Sequence, residues 1–431
     1  MTLTILGAVI NNPNDEEATE TIPKNITQYN PADEIESIIT PFDSIVESNF
    51  KQSGAVGEAI VITYKGEVAM IKCLGVRKEG ENDSINANTI FRLASVSKSI
   101  TGVLASILDD EKIVDLDDKI IDYLPNFQLK NSTYTQQLTI KNILSQSSGI
   151  VPHAYDLMVE DQWPLEKIIP YLKDATISAE PGKLYTYQNV VYSIYEPIIE
   201  SKTNKDFNDV MAEKVFEPFG MKDASINFQS FKNTENKAYP HTQVSSTQFR
   251  TIPLNDRYYN TAPAAGVNAS IADMGNLLIG LSGHHSEIFS AEANKTAFTP
   301  LVSSPLKRQY FSSWGKDVRN KSYAIGWRIV DYKNRKVAYH GGYVKGYKAE
   351  IAICNEVEIG IAILSNSPNS ESSKCIPTFL NMIFDQQEEI LAEKEATINA
   401  KKLNEIEDII TTSPLANALT PHKQQDKFQH F

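Results

Sequence analysis

Strand-like apolar runs stand near both ends of this chain, and most of what lies between them has helical periodicity. Near the start, Ala59-Ile60-Val61-Ile62-Thr63-Tyr64 and Val68-Ala69-Met70-Ile71-Lys72-Cys73 flank a turn at Lys65-Gly66, which predicts a hairpin. Near the end, residues 323–330, 336–340, 349–354 and 359–364 read as four strands, the last two flanking a turn at Asn355-Glu356. An isolated hairpin is only marginally stable, so the economical solution is one sheet assembled from both ends. The expected fold class is therefore α+β, an antiparallel sheet flanked by helices with an inserted, mainly helical domain.

The expected organisation is a flexible leader over 1–32, a sheet domain from 33–93 with 320–390, a helical domain over 94–319, and a polar C-terminal tail over 391–431. A helix is predicted from Pro31 to about Phe50, with Ile35, Ile38, Ile39 and Phe42 on one face and Pro41 kinking or dividing it. A final helix is predicted from about Cys375 to Glu389. The polar stretches 229–262 and 301–322 are expected near a substrate cleft, because loops on a rigid scaffold often line one.

Composition narrows the function. At 431 residues with 41% apolar content, a large core is possible, and a mainly disordered chain is ruled out. The net charge of −13 and the lack of any Lys/Arg-rich run argue against nucleic acid as partner. Cys73, Cys354 and Cys375 lie far apart with no C-x-x-C, which excludes a zinc ribbon and allows one disulfide with a thiol left over. No stretch is long and apolar enough for a spanning helix. The apolar run Leu3–Ile10 reads as the remnant of a signal peptide or as a frayed tail, so a periplasmic or secreted location is the slightly favoured expectation. His284-His285 has only Glu287 as a nearby carboxylate, too little for a metal site.

Motifs for nucleotide, dinucleotide and zincin chemistry are missing, as is G-x-S-x-G. What remains is Phe91-Arg92-Leu93-Ala94-Ser95-Val96-Ser97-Lys98, a serine at a strand-to-helix transition with a lysine one turn later. Residues i and i+3 share a helix face, so Lys98 can reach the Ser95 hydroxyl. Near a helix start, the Ser95 N–H is also available to an oxyanion. The bare S-x-x-K spacing recurs at Ser48/Lys51, Ser304/Lys307 and Ser313/Lys316, and a lone match is usually an N-cap serine with a solvated lysine. Only the Ser95 copy opens an apolar helix.

The Phe91–Lys98 block resembles the nucleophile motif of the serine beta-lactamase and penicillin-binding protein superfamily, in its class C-like branch of DD-carboxypeptidases, D-aminopeptidases, esterases and class C beta-lactamases. Further blocks agree in order: Leu116–Pro125, Thr139–Gly149, Phe219–Asp223 and Ala264–Ser270. The resemblance spans about residues 35–385. Its second motif, Y-x-N, matches Tyr187-Gln188-Asn189 after Pro181-Gly182, and the copies at Tyr258-Tyr259-Asn260 and Tyr332-Lys333-Asn334 are set aside as chance. By resemblance, Tyr187 exchanges protons with Ser95 and the leaving group, and Asn189 orients a substrate carbonyl and Lys98. The third motif matches His340-Gly341-Gly342-Tyr343 on a strand edge. The resemblance implies Gly342 for close substrate approach, the Tyr343 N–H as second oxyanion donor, and His340 either bonded to Tyr187 or tuning the site's electrostatics.

Two departures stand out. Gly341 replaces a hydroxyl residue that helps bind a substrate carboxylate, which turns the expectation toward esters, amides or D-amino-terminal peptides. Gln146 stands where the family usually has histidine, and a local change of hydrogen bonding is expected there with activity retained. The resemblance implies a serine hydrolase acting through an acyl-enzyme on a small-molecule or peptide substrate, with no metal or organic cofactor. The alternatives are a class C-like beta-lactamase and a non-catalytic penicillin-binding or scaffold relative.

Overall fold

A computed structural model describes residues 31–304 and 311–412. Its strands are β1 (Gly57–Tyr64), β2 (Glu67–Gly75), β3 (Phe91–Arg92), β4 (His241–Ser245), β5 (Gln248–Thr251), β6 (Asn268–Ala269), β7 (Val302–Ser303), β8 (Val318–Tyr323), β9 (Arg328–Tyr332), β10 (Arg335–Val344), β11 (Tyr347–Cys354) and β12 (Ile359–Ser365). Eight form one sheet in the order β2-β1-β12-β11-β10-β9-β8-β7, and β3-β6 and β4-β5 are small separate pairs. The expected sheet from both ends of the chain is present. β1 pairs antiparallel with β12, Glu58 opposite Ser365.

β1 is buried along its whole length. Its side chains alternate between two cores, as a period of two requires. Ala59 and Val61 face the helical part, while Ile60 and Ile62 face a layer made by the two terminal helices. In that second layer Phe42 packs on Phe379 with ring centroids 5.3 Å apart.

Several details differ from the sequence reading. The first helix runs unbroken over Pro31–Ser53 with Pro41 inside it. Burial of its apolar face against the sheet and the C-terminal helix outweighs the one hydrogen bond that proline forgoes. The main sheet takes in β7 and the start of β8, both upstream of the expected boundary at residue 320. The last helix spans Ser372–Thr412, well past Glu389, so the first part of the expected tail continues it. Beyond Ile390 its apolar residues Leu391, Ile398, Leu403 and Ile406 are exposed, so no buried stripe marks the extension in the sequence. The leader before Pro31 lies outside the described residues, as does the Lys307 copy of S-x-x-K. All three cysteines are free thiols.

The helix Ser97–Asp110 is pressed onto the turn before β9. A Cβ on Gly102 would sit 2.1 Å from the Ile325 carbonyl oxygen, and one on Gly326 (φ +78°) 2.1 Å from that of Lys98. The Ser99 hydroxyl donates to the Gly326 carbonyl at 2.9 Å. Helix and sheet are thereby fixed to one another at backbone distance, next to the residues of interest.

Candidate active site

Ser95 lies in a 3₁₀ turn, Ala94–Val96, between β3 and the helix Ser97–Asp110. Ala94 holds φ +49°, a left-handed conformation uncommon for residues other than glycine and often found at functional turns. The turn is fixed from below: the Leu93 N–H donates to the Val267 carbonyl at 2.9 Å, and the Val267 N–H donates to the Ser97 hydroxyl at 2.9 Å. Strand β10 closes from above. A Cβ on Gly342 would lie 2.3 Å from the Leu93 carbonyl oxygen and 2.9 Å from the Ser95 nitrogen, so only glycine lets the strand approach this closely.

Lys98 is fully buried one turn on. Its Nζ donates to Asn189 Oδ1 at 2.7 Å and to the Ala264 carbonyl at 3.0 Å. It also lies 4.6 Å from the centre of the Tyr187 ring. Burial pushes Lys98 well below the ordinary lysine value; the Asp156 carboxylate opposes that shift and the Arg328 guanidinium reinforces it. A neutral amine has two N–H groups and one lone pair. The two acceptors use the N–H groups, which leaves the lone pair to take a proton.

Burial raises the Tyr187 phenol, with the Arg328 charge and then the nearby Ser95 working against that rise. The segment carrying Tyr187 is held by Gln146, whose Nε2 donates to the Gln188 carbonyl at 3.1 Å and whose Oε1 accepts from the Gln188 N–H. Gln146 thus clamps the residue between Tyr187 and Asn189, a role its sequence position only partly suggested.

The structure therefore brings Ser95, Lys98, Tyr187 and Asn189 together, with Gly342 and Tyr343 beside them. Ser95, Tyr187, Asn189, Gly342 and Tyr343 line one cavity of about 540 Å³. His340 is placed differently. It is fully buried, does not line that cavity, and bonds the Tyr323 hydroxyl through Nε2 at 3.0 Å instead of Tyr187. His340 and Gly342 share a face of β10, and two residues back along the strand the partner of that face is the Tyr323 hydroxyl. Burial, then the charges of Arg328 and Lys98, push its imidazole well below the usual histidine value. His340 is thus a neutral group behind the site.

Three further residues escape a reading of the sequence. Arg328 on β9 is almost fully buried and lies 5.7 Å from the Tyr187 ring centre. The signal for it was a lone cation in an otherwise apolar strand. Asp156 accepts from Asn189 Nδ2 at 3.0 Å, and His153 bonds the same carboxylate at 2.8 Å. These two belong to a short irregular stretch with no sequence periodicity. The polar stretches expected at the cleft contribute Tyr258, Ser312 and Ser313 to the cavity lining.

The family model for beta-lactamases matches residues 42–380, most of the chain. The chain belongs to the beta-lactamase family. Among curated relatives, the protein flp of Staphylococcus aureus (strain N315) is 23% identical over 370 residues, covering 85% of this chain and 69% of its own length. The unguisins hydrolase ungD' of Aspergillus campestris is 23% identical over 309 residues, covering 69% of this chain and 56% of its own. The octameric penicillin-binding protein homologue of Pyrococcus abyssi shares the fold, with a TM-score of 0.70 and 21% identity over 80% of this chain and 77% of that one. This family member thus has the beta-lactamase/transpeptidase-like fold, and its resemblance to hydrolases runs through relatives of low identity.

Proposed function

We propose that this chain is a serine hydrolase that works through an acyl-enzyme on a peptide, amide or ester. The observation that carries the reading is the buried Lys98, held by Asn189 and Ala264, with the Tyr187 ring 4.6 Å from its amine and both residues beside Ser95. Burying an amine is costly unless its neutral form is used, and a scaffold gains nothing from that cost. In the acylation step the Ser95 Oγ attacks the substrate carbonyl while its proton passes by way of Tyr187 to the Lys98 lone pair. The Ser95 and Tyr343 N–H groups receive the developing oxyanion. The proton then returns to the leaving group, whose bond to the acyl carbon breaks.

The substrate's own charge is constrained by β10 and β11. Gly341 pairs with Glu350 across the strands, and a Cβ on Gly341 would lie 2.8 Å from the Tyr339 hydroxyl and 3.8 Å from Glu350 Oε1. Tyr339 donates to that oxygen at 2.7 Å. The place of the family's hydroxyl side chain therefore backs onto a carboxylate, and Glu350, Asp156 and Glu160 all line the cavity. Lys348, also in the lining, stands 3.6 Å from Glu350 and is engaged by it. This favours neutral or amino-terminal substrates over those with a terminal carboxylate, and an esterase or aminopeptidase-like activity over a beta-lactamase.

The test is intact-mass spectrometry after exposure to a fluorophosphonate and, separately, to a fluorescent penicillin. A single fluorophosphonate adduct on wild type, missing in Ser95→Ala and much slower in Lys98→Ala and Tyr187→Phe, is the expected result. A penicillin adduct that forms and clears within seconds would instead favour the lactamase reading, and no adduct with either reagent the scaffold.

A further inference from the structure

Acylation leaves the reaction half done, because water must still be activated to release the acyl group. Tyr187, already used in the first step, is buried, and that burial raises its phenol. The cavity holds another group with the required features. His153 lines it together with Ser95 and Tyr187, and its ring centroid lies 5.5 Å from that of Tyr187. The side chain is about half exposed, so water reaches it.

The ring is also oriented. Nδ1 sits 2.8 Å from Asp156 Oδ2, and because a carboxylate only accepts, Nδ1 carries a proton and Nε2 is the nitrogen on the far edge of the ring. Asp156 is itself held by Asn189, the same side chain that receives Lys98, so the His153–Asp156 pair is joined to the nucleophile's own network. The backbone bears the mark of a specified position. His153 adopts φ +59°, and its N–H donates to the Tyr187 carbonyl at 2.9 Å. A left-handed conformation at a non-glycine residue carries a cost, here offset by placing an imidazole against the tyrosine.

We propose that His153, oriented by Asp156, is the base that activates water for release of the acyl group from Ser95. His153 Nε2 takes a proton from water as the water oxygen bonds to the acyl carbon, and the carbonyl electron pair moves onto oxygen. As the oxyanion collapses, the bond from that carbon to Ser95 Oγ breaks, and the imidazolium proton goes to the departing Oγ. Water and ester become acid and free serine, with no further reactant. This assignment rests on the acyl-enzyme reading of Ser95, and the role of Asp156 is positioning.

The decisive variant is His153→Asn, because asparagine tolerates the left-handed backbone, still reaches Asp156, and cannot take the proton. Wild type and variant are given a brief pulse of a p-nitrophenyl ester, with nitrophenol release and the acylated mass followed in time. The expected result is unchanged acylation with decay of the acyl-enzyme slowed about 100-fold or more, the usual worth of a general base. His153→Gly, which also accepts this backbone, should decay slowly alone and recover when free imidazole is added. Decay within twofold of wild type, a parallel fall in acylation and decay, or no rescue by imidazole would overturn the assignment. Failure of wild-type Ser95 to acylate at all would remove the parent reading with it, whereas normal acylation with unaltered decay would remove this inference alone.

Discussion

Gly342→Ala tests whether the approach of β10 to the nucleophile turn sets reactivity. The new methyl carbon would start 2.3 Å from the Leu93 carbonyl oxygen, against about 3.4 Å for ordinary contact, and 2.9 and 3.0 Å from the nitrogens of Ser95 and Val96. All three neighbours are backbone, so no side chain can swing aside. The strand must retreat by about 1 Å, and displacing an aligned group that far costs on the order of 100-fold in rate. Loss of the Tyr343 N–H from the oxyanion position would bring a similar or larger factor, ~10²–10³. The adjacent glycine is the control. A Cβ on Gly341 comes closer than ordinary contact only to the Tyr339 hydroxyl, at 2.8 Å, which is the end of a side chain and not backbone. We therefore expect the fluorophosphonate labelling rate to fall about 100-fold or more in Gly342→Ala and by less than about tenfold in Gly341→Ala, with both variants folded by circular dichroism. If Gly342→Ala labels at nearly the wild-type rate, the strand does not position the oxyanion site.

On the proposed mechanism, acylation should rise with pH and level off at an inflection well below the ordinary lysine value, because that mechanism uses the neutral form of Lys98 and burial favours it. Since the Arg328 charge helps lower Lys98, Arg328→Gln should move that inflection upward in a pH–rate profile. Glu58, buried in β1, is pushed up to about 7, chiefly by desolvation. Between 4.5 and 7 the folded chain keeps a proton that the unfolded chain has released, so stability falls as pH rises through that window. Glu58→Gln should accordingly raise Tm at pH 8, by the equivalent of roughly 1–3 kcal/mol, and change it little at pH 4.5; equal shifts at both values would refute the account. Gln146→Leu leaves the Gln188 N–H and carbonyl without their partner, which should cost about 1–3 kcal/mol in urea unfolding and slow labelling by loosening Tyr187.

The parts of the site that a sequence shows are those written in local spacing. Ser95 and Lys98 stand three apart at the head of an apolar helix, and Tyr187 and Asn189 flank one residue, so each pair is placed by its own segment. Arg328 joins them only because β9 pairs with β10, Tyr339 opposite Arg328, and no local pattern carries that register. His153 and Asp156 depend on a positive φ, which the residue types at 153–156 do not announce. The partner of His340 has the same origin: its strand lies where the sequence places it, but its bond to Tyr323 and not to Tyr187 is set by what packs on that strand. The fold was legible at the level of the sheet because β1 and β12 are apolar on both faces. The ends of the terminal helices were not, since Pro41 is tolerated by packing and the stretch after Ile390 buries no face.

The pairing of β1 with β12 has a consequence for how the chain is made. Val56 donates to Ser367, and the two are 311 positions apart. At about 5–20 residues per second a ribosome needs roughly 15–60 s to supply the second partner after the first has emerged. Throughout that interval the nascent β1-β2 hairpin offers an open, apolar strand edge with nothing to close it. Lys98 cannot be desolvated either, because Arg328 and the strands that roof it are still unsynthesised. The emerging chain therefore carries an open apolar strand edge, and lacks the surroundings that bury Lys98, until β9 to β12 have been made.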